Sequence, residues 1–269
     1  MEYREQPAPP DLAAFVRCFW TLCGEAAPGA AERLLPDGRI ELAIHFGDPF
    51  DRVVSPDGRE RQPRGLFVGQ LDQHVLLAPA GRVRVFGVCF HPDGASAFAH
   101  WPQHQTAGRI LALEDVWASA GRRLQEAVCN AQDDSGRIAA VQSFLRRQMR
   151  ARDADRRLRA AVDLFQREPW LRVEQVAGRA GSSRRHLERA FIERVGCTPK
   201  TFAKIARFQR VLSLREQRPQ WGWARVAAES GYYDQAHLIA DFRRFSGSTP
   251  ALHPEDITAM ERLFLHERG

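Results

Sequence analysis

The chain has 269 residues, of which 44% are hydrophobic and 27% charged, so it is long enough for two domains and apolar enough for a buried core. These values exclude a small disulfide-stapled scaffold and a disordered tail. The formal net charge of +6 is concentrated in residues 156–250, which hold 19 basic against 9 acidic residues, whereas residues 1–150 hold 17 against 18. Such a basic segment suits a polyanionic partner such as nucleic acid.

Residues 1–100 are predicted to be mostly β-structure. After the turn Pro36-Asp37-Gly38, apolar and more polar residues alternate over 40–46, which is typical of a strand with one buried face. Apolar runs at 65–71, 75–77 and 83–90, set apart by proline, glycine and aspartate, predict further strands. We therefore expect an antiparallel sandwich or barrel.

From about residue 111 the pattern becomes helical. Ile138, Val141, Leu145 and Met149 form an apolar stripe at helical spacing. The stripe must pack either on the sheet of its own domain or on a second copy of the chain, and the spacing favours neither. The charged stretch 151–157 is predicted to be a linker that ends an N-terminal domain at residues 1–150.

An internal repeat occupies the segment beyond the linker. Val176, Ala177 and Gly181 recur 50 residues later, and a second set recurs 51 residues later: His186, Leu187, Phe191, Gly196, Thr198 and Pro199. In each copy a short helix meets a glycine, and a second helix with an apolar i, i+4 pair begins about three residues beyond it. This spacing predicts a helix-turn-helix, whose second helix enters the major groove of DNA.

The repeated segment resembles the DNA-binding domain of the AraC/XylS family of bacterial transcription regulators. The resemblance is carried by VA at 176–177, SRRHLERAF at 183–191, GCTP at 196–199, QAHL at 235–238, FRRF at 242–245 and GSTP at 247–250. It implies a DNA-binding domain at 158–255, a C-terminal tail at 256–269, and two helix-turn-helix units joined by a central helix at 201–215. The inward face of that helix would carry Phe202, Ile205, Phe208 and Leu212. The two recognition helices would then lie about one turn of DNA (~34 Å) apart.

Residues 1–150 resemble, less specifically, the cupin-like effector-sensing domains of the same family, through segments 36–47 and 86–92. The expected fold class is therefore α+β, with an N-terminal cupin-like β-sandwich or barrel, C-terminal flanking helices, and an all-α double helix-turn-helix domain. The resemblance implies an effector-responsive regulator, more commonly an activator, that binds double-stranded promoter DNA and meets RNA polymerase. It also implies an unidentified small-molecule effector and a homodimer that the 138–149 stripe would form. No apolar stretch approaches the roughly 18 to 20 residues that span a bilayer, and the first residues show no signal-peptide pattern, so we expect a cytoplasmic location without membrane contact.

The DNA contacts expected from the first unit lie in its turn and on the outer face of its second helix: Ser182, Ser183, Arg184, Arg185, Glu188 and Arg189. An arginine can fork onto guanine O6 and N7, and Glu188 can accept from a cytosine amine. The alternative for Glu188 is an ion pair with Arg184 or Arg185 along the helix. The serines are expected to cap the helix and to offer hydroxyl groups to phosphate.

The second unit and the central helix provide a chemically poorer set of expected DNA contacts: Lys204, Arg207, Tyr233, Gln235, Ala236, Ile239 and Arg243. Gln235 can pair bidentately with adenine, and Ala236 and Ile239 can touch a thymine methyl group. We therefore expect the first unit to specify the sequence and the second mainly to anchor the protein on the DNA backbone.

No enzyme signature is present in the sequence, so we expect no enzyme, no catalytic residue and no cofactor. A cupin-type metal site would have to be built from scattered residues: His45, His74, His91, His100, His104 and Cys89. No His-x-His pair occurs among them, and we expect no metal. The alternative is a bifunctional regulator whose N-terminal domain binds a metal or carries enzymatic activity. The five cysteines are an odd number without CxxC spacing, which favours reduced thiols.

Overall fold

The computed structural model describes residues 1–27, 31–150 and 155–250. We call the described residues up to 150 the N-terminal half and residues 155–250 the helical half. Of the expected linker 151–157, residues 151–154 lie outside the described residues, and the expected tail 256–269 lies wholly outside them. None of the described helices is long and apolar enough to cross a membrane.

Two antiparallel sheets make up most of the N-terminal half. Their strands are β1 (Glu2–Pro7), β2 (Val16–Ala26), β3 (Glu32–Leu34), β4 (Glu41–His45), β5 (Asp51–Ser55), β6 (Gly58–Arg61), β7 (Gly65–Val68), β8 (Val75–Ala78), β9 (Gly81–Phe90) and β10 (Ile110–Ala112). Among the described residues, the order is β1-β2-β9-β4-β7-β10 in the larger sheet and β3-β8-β5-β6 in the smaller. The expected antiparallel sandwich is confirmed.

Strand β4 lies in the middle of the larger sheet and is buried on both faces. Ile40, Leu42 and Ile44 pack into one apolar cluster with the helices that follow the sandwich. Ala43 and His45 point the other way, into the space between the two sheets. The expectation of a half-buried strand is therefore wrong, because the smaller sheet covers the face that the alternation assigned to water.

The apolar stripe 138–149 packs on its own domain. Helix α1 (Leu113–Asn130) lies against the larger sheet and α2 (Asp134–Gln148) lies against α1. Val141 and Leu145 are fully buried in the cluster beneath the larger sheet, and Ile138 and Met149 pack at its edge. The sequence left open whether the stripe packs on its own domain or on a second copy of the chain. In the structure it packs on its own domain.

The helical half repeats one unit twice around a central helix. Its helices are α3 (Arg156–Arg167), α4 (Val173–Arg179), α5 (Arg184–Ala190), α6 (Pro199–Gln217), α7 (Trp223–Glu229) and α8 (Gln235–Ser246), and a π-helical turn at Phe191–Val195 extends α5. The expected central helix is α6, which begins where Thr198 Oγ1 accepts from Thr201 N at 3.1 Å and Pro199 takes the first turn. The four residues expected to face inward are all buried: Phe202, Ile205, Phe208 and Leu212.

Candidate nucleic-acid interface

The two units form their turns with the same local chemistry. Gly181 and Gly231 adopt φ of +67° and +79°, a backbone conformation that glycine takes at little cost. Ser183 Oγ then caps α5 by accepting from His186 N at 3.2 Å, and Asp234 Oδ1 caps α8 by accepting from His237 N at 2.7 Å. Each recognition helix therefore begins at a fixed point after its glycine, with its first turn open to solvent.

The outer face of α5 carries two arginines that no described residue pairs with. Arg185 and Arg189 are exposed, and the described residues provide neither with an ion-pair partner. On the opposite face, Leu187, Ala190 and Phe191 are buried in the first core, which is the apolar cluster formed by α3, α4, α5 and the start of α6. The two arginines therefore lie one helical turn apart on the exposed face of a helix whose other face is packed in the core.

Arg184 and Glu188 are engaged with each other. Arg184 Nε donates to Glu188 Oε1 at 2.8 Å, and its NH1 donates to Glu174 of the preceding helix. The side-chain hydrogen bond with Glu188 raises the pKa of Arg184. The ion pair that was the alternative for Glu188 is therefore the one present in the free protein. A contact from Glu188 to cytosine stays a prediction that requires this pair to open.

The outer face of α8 is less polar, as expected from its sequence. Gln235, Ala236 and Arg243 are exposed. Ile239 is half-buried against the second core, which is the apolar cluster formed by α6, α7 and α8. Tyr233 is 94% exposed beside the N-cap, and Tyr232 is buried beneath it. The second unit thus presents one amide and one phenol at the N-terminus of its recognition helix, and one guanidinium group, that of Arg243, in the last turn.

Lys204 and Arg207 do not reach this open surface as free cations. Lys204 Nζ lies 2.8 Å from Asp241 Oδ1, whose side chain is almost fully buried on α8. Arg207 lies 5.3 Å from the centre of the Tyr232 ring and donates to Pro169 O at 3.4 Å. Lys204 therefore joins α6 to α8, and Arg207 joins α6 to the loop before α4 and to the turn before α8. Their contact with phosphate stays a prediction.

The C-terminal ends of both recognition helices face the N-terminal half. Gly196 and Gly247 occupy matched repeat positions, with φ of +92° and +75°. A Cβ on Gly196 would lie 3.1 Å from Gln103 O and 3.2 Å from Gln70 Cβ, and one on Gly247 would lie 2.3 Å from the His74 ring. The N-terminal half therefore contacts the ends of the recognition helices that are remote from their expected DNA-reading turns.

Two ion pairs join the halves at this boundary. Arg159 of α3 lies 2.6 Å from Asp93 Oδ1, a carboxylate that is only 3% exposed. Burial raises the pKa of Asp93, although Arg159 opposes the shift. Arg244 of α8 lies 2.9 Å from Asp72 Oδ2, and this second pair is largely exposed. The sequence offered no signal for either pair, because nothing local marks residues that meet across more than sixty positions.

The segment after β3 reaches into the second helix-turn-helix unit. Leu35 is buried in the core formed by α6, α7 and α8. Gln209 Nε2 of α6 donates to Pro36 O at 2.7 Å, and Gly38, with φ of +85°, lies against the Phe202 ring. The Pro36-Asp37-Gly38 turn, which the sequence identified only as a strand boundary, is thus a contact between the two halves.

The histidines of the N-terminal half do not converge. Among the described residues, no group of three His, Cys, Asp or Glu side chains could hold a metal ion. His45 lies between the sheets against Phe50, whereas His74 lies at the boundary with α8. Burial lowers the pKa values of His45 and His91 to about 4, so both rings are neutral at pH 7.

Two sequence families match the chain. A helix-turn-helix domain family matches residues 176–252, which include both units and the central helix between them. A domain of unknown function (DUF6597) matches residues 4–112, which include nine of the ten strands described above and most of β1. A comparison with curated proteins found no match.

Solved structures of ToxT from Vibrio cholerae are similar to this chain. One superposes with a TM-score of 0.50 at 12% sequence identity and covers 92% of this chain and 98% of ToxT. A second, from strain O395, has a TM-score of 0.48 at 11% identity and covers 93% and 99%. A third, wild-type ToxT with a bound unsaturated fatty acid, has a TM-score of 0.45 at 10% identity and covers 92% and 95%. At these identities the likeness concerns the fold, and the first superposition supports it.

The family match and the fold agree on the same organisation. The matched helix-turn-helix segment contains the internal repeat, its two turn glycines and its two capped recognition helices. The fold shared with ToxT accounts for a β-sandwich that precedes this helical half. The chain therefore carries a helix-turn-helix domain at residues 176–252, which follows an N-terminal β-sandwich in a fold shared with ToxT.

Proposed function

We propose that this protein reads a specific promoter sequence through its two recognition helices and that a small molecule in its N-terminal half controls this binding. The observation that carries the first part is the outer face of α5, where Arg185 and Arg189 are exposed and unpaired among the described residues. The N-terminal half contacts the far ends of both recognition helices, which leaves their capped first turns open to a DNA groove.

The first unit supplies most of the sequence preference. An arginine that forks onto guanine is worth ~1–3 kcal/mol of discrimination against another base pair. On α8, Gln235 lies in the first turn and can pair bidentately with adenine, whereas Arg243 lies in the last turn, away from the reading end of the helix. Tyr233, just before α8, and Ala236 offer phosphate or methyl contacts. We therefore assign sequence reading mainly to α5 and anchoring mainly to α8.

Salt dependence tests DNA binding itself. With about six to eight phosphate contacts, a plot of log K against log salt concentration should fall with a slope of about −5 to −7. The measurement is fluorescence anisotropy of labelled promoter DNA over a series of salt concentrations. A slope near zero would show that the basic helical half does not bind the DNA backbone.

Two alanine variants test the division of labour. Arg189→Ala should bring the affinities for the best site and for scrambled DNA closer together, by about tenfold or more. Gln235→Ala should reduce the ratio of the affinity for the best site to the affinity for scrambled DNA by a smaller factor. Arg59→Ala is the matched control, because it removes an exposed arginine of β6, far from both units in sequence. A larger loss of preference in Gln235→Ala than in Arg189→Ala would refute the assignment.

The effector response is supported by a continuous set of contacts. Leu34 of β3 and Leu77 of β8 line a cavity between the two sheets. The next residue after Leu34 is Leu35, which packs on the second helix-turn-helix core, and β8 follows directly on His74, which touches Gly247. A ligand changes DNA binding only as far as it binds two domain arrangements differently. These strands join the cavity to the helical half with no intervening element.

Activation, contact with RNA polymerase and dimerisation complete the proposal and rest on family resemblance. In vitro transcription with purified RNA polymerase tests the first two, since an activator raises transcript yield from its own promoter and a repressor lowers it. Sedimentation velocity with and without promoter DNA tests the third. A monomer at all concentrations and a lowered transcript yield would reject these parts and leave DNA binding in place.

A further inference from the structure

A tryptophan of the first helix-turn-helix unit packs against the turn of the second. Trp170 lies in the loop before α4, and Gly231 is the turn glycine that precedes α8. A Cβ on Gly231 would lie 2.8 Å from Trp170 Cβ and 3.1 Å from Trp170 Cε3. Both distances are shorter than the 3.5–4.0 Å of an ordinary carbon–carbon contact, so a side chain at this turn would displace the tryptophan. The two units therefore touch just before α8 begins.

The turn of the first unit has no such neighbour. Gly181 occupies the matched repeat position, and among the described residues nothing lies within 4 Å of the Cβ that it would carry. Both glycines have a positive φ, of +67° at Gly181 and +79° at Gly231, so the conformational reason for glycine is common to the two turns. The difference between the two turns is the contact with Trp170.

Two arginines of the central helix α6 contact both the loop and the turn. Arg207 donates to Pro169 O at 3.4 Å and lies 5.3 Å from the centre of the Tyr232 ring. Arg210 lies 5.5 Å from the centre of the Trp170 ring, and its Nε donates at 2.8 Å to the carbonyl oxygen of the last residue of α7. A guanidinium group at these distances from an aromatic ring is attracted by the ring's electron-rich face. Each arginine therefore connects the loop of the first unit to the turn region of the second.

The contact lies at the reading end of the helical half. The N-terminal half touches the opposite ends of the recognition helices, at Gly196 and Gly247. Over the ~34 Å that separates two recognition helices on DNA, a tilt of about 6° between the units would move one of them by about 3.4 Å, which is the rise of one base pair. A contact that limits this tilt also limits the spacing of DNA segments that the two helices can bind together.

We propose that Trp170 is a positioning residue that sets the angle between the two units and so restricts the protein to one spacing between the DNA segments read by α5 and α8. It acts on α8 through the turn at Gly231, and it does not need to touch DNA for this effect. The inference rests on the proposed reading of DNA by two units and specifies how the protein selects the spacing of its site.

The preference for spacing tests this role. Fluorescence anisotropy is measured with the best site, with sites whose two segments are one base pair closer or farther apart, and with the first segment alone. One base pair shifts the second segment by ~3.4 Å and about 34° around the DNA axis, so the wild type should prefer the best spacing by about tenfold or more. Trp170→Ala should reduce this ratio by about threefold or more and leave the affinity for the first segment alone within about twofold.

A purely structural role of Trp170 would give a different result. The side chain is 45% exposed and lies in neither of the two cores, so Trp170→Ala should fold. A smaller fraction of folded protein would lower the apparent affinity for every DNA by the same factor and would leave the spacing ratio as it is in the wild type. An unchanged ratio in Trp170→Ala would therefore overturn the inference.

The two turn glycines provide a matched pair of variants. Gly181→Ala and Gly231→Ala both impose a positive φ on alanine, but only the second also places a methyl group against Trp170. Gly231→Ala should change the spacing ratio by about threefold or more, and Gly181→Ala should lower affinity for all sites alike. In the Trp170→Ala background, Gly231→Ala should have no larger effect on the ratio than Gly181→Ala has. Equal effects of the two glycine variants in the wild-type background would overturn the inference.

The outcomes also separate this inference from the proposed function. A wild-type protein that prefers one spacing, together with a Trp170→Ala variant of the same preference, would defeat the inference and leave the proposed function in place. A wild-type protein that binds all spacings equally would defeat the reading of DNA by two units, and this inference with it.

Discussion

The ion pair between Arg159 and Asp93 should account for much of the stability of the boundary between the two halves. The nitrogen and oxygen atoms lie 2.6 Å apart, and the Asp93 side chain is 3% exposed. Arg159 also donates to Ala14 O at 2.7 Å. Replacing Arg159 with methionine keeps an unbranched stem of similar length and removes both interactions.

The size of the effect follows from what the stranded carboxyl can do. It either stays ionised in a nearly dry site or takes up a proton. Protonation at pH 7 costs ~1.4 kcal/mol for each pH unit above the pKa, so an ordinary value of 3.8 sets an upper limit of about 4 kcal/mol. Burial raises the pKa of Asp93 and reduces this cost, while the lost bond to Ala14 adds ~1 kcal/mol. We expect Arg159→Met to lose about 2–4 kcal/mol of unfolding free energy.

The loss should depend on pH in a defined direction. A carboxyl whose pKa is higher in the folded than in the unfolded protein binds more protons when folded, so the protein gains stability as pH falls. Without Arg159 the pKa of Asp93 rises further, and the deficit of the variant should shrink between pH 7 and pH 5. Urea unfolding at both pH values measures this. Arg146→Met is the matched control, because its pair with Asp11 at 2.8 Å is half-exposed and should contribute little. Equal losses in the two variants, or a deficit that grows at pH 5, would refute this account.

Three further outcomes are expected. Asp72→Asn removes an exposed pair with Arg244 that is worth ~0.2–1 kcal/mol at the boundary between the halves, so the unfolding free energy should fall by no more than about 1 kcal/mol, and a loss above about 2 kcal/mol in urea would contradict this. Leu35→Ala should lower the unfolding free energy by about 2–5 kcal/mol in urea, and a loss below 1 kcal/mol would mean that the second core closes without it. Cys18 and Cys89 face each other across β2 and β9 and are buried, and the hydrogen bond with Cys18, together with burial, raises the pKa of Cys89, so both thiols should resist Ellman's reagent until the protein is denatured.

The helical half could be predicted closely because its structure is encoded locally. In each unit the turn glycine, the N-cap and the apolar i, i+4 pair lie within about ten residues of one another, and the second unit shows the same pattern as the first. Thr198 and Pro199 likewise mark the start of α6 within the sequence itself. Interactions between residues that are close in sequence depend little on the rest of the fold, so they can be recognised from the local order of amino acids.

The N-terminal half was predictable in class and not in detail. Period-2 alternation identified β4, but the sequence could not reveal that a second sheet covers its more polar face and buries His45. Nor could the sequence indicate that Lys204 forms an ion pair with Asp241, or that Gln209 donates to Pro36 O. These pairings join residues between 37 and 173 positions apart, and only the three-dimensional arrangement brings them together.

The two helix-ending glycines have a practical consequence for protein engineering. Gly196 lies against Gln103 and Gln70, and Gly247 lies against His74, so the stretch between Gln70 and His74 contacts both reading units and Gln103 contacts the first. If the helical half were transplanted onto another regulator's N-terminal domain, both glycines would lose the surface on which they now pack. A working chimera should therefore carry residues 70–74 and the segment around Gln103 along with the transplanted half, or provide an equivalent surface that packs closely against both glycines.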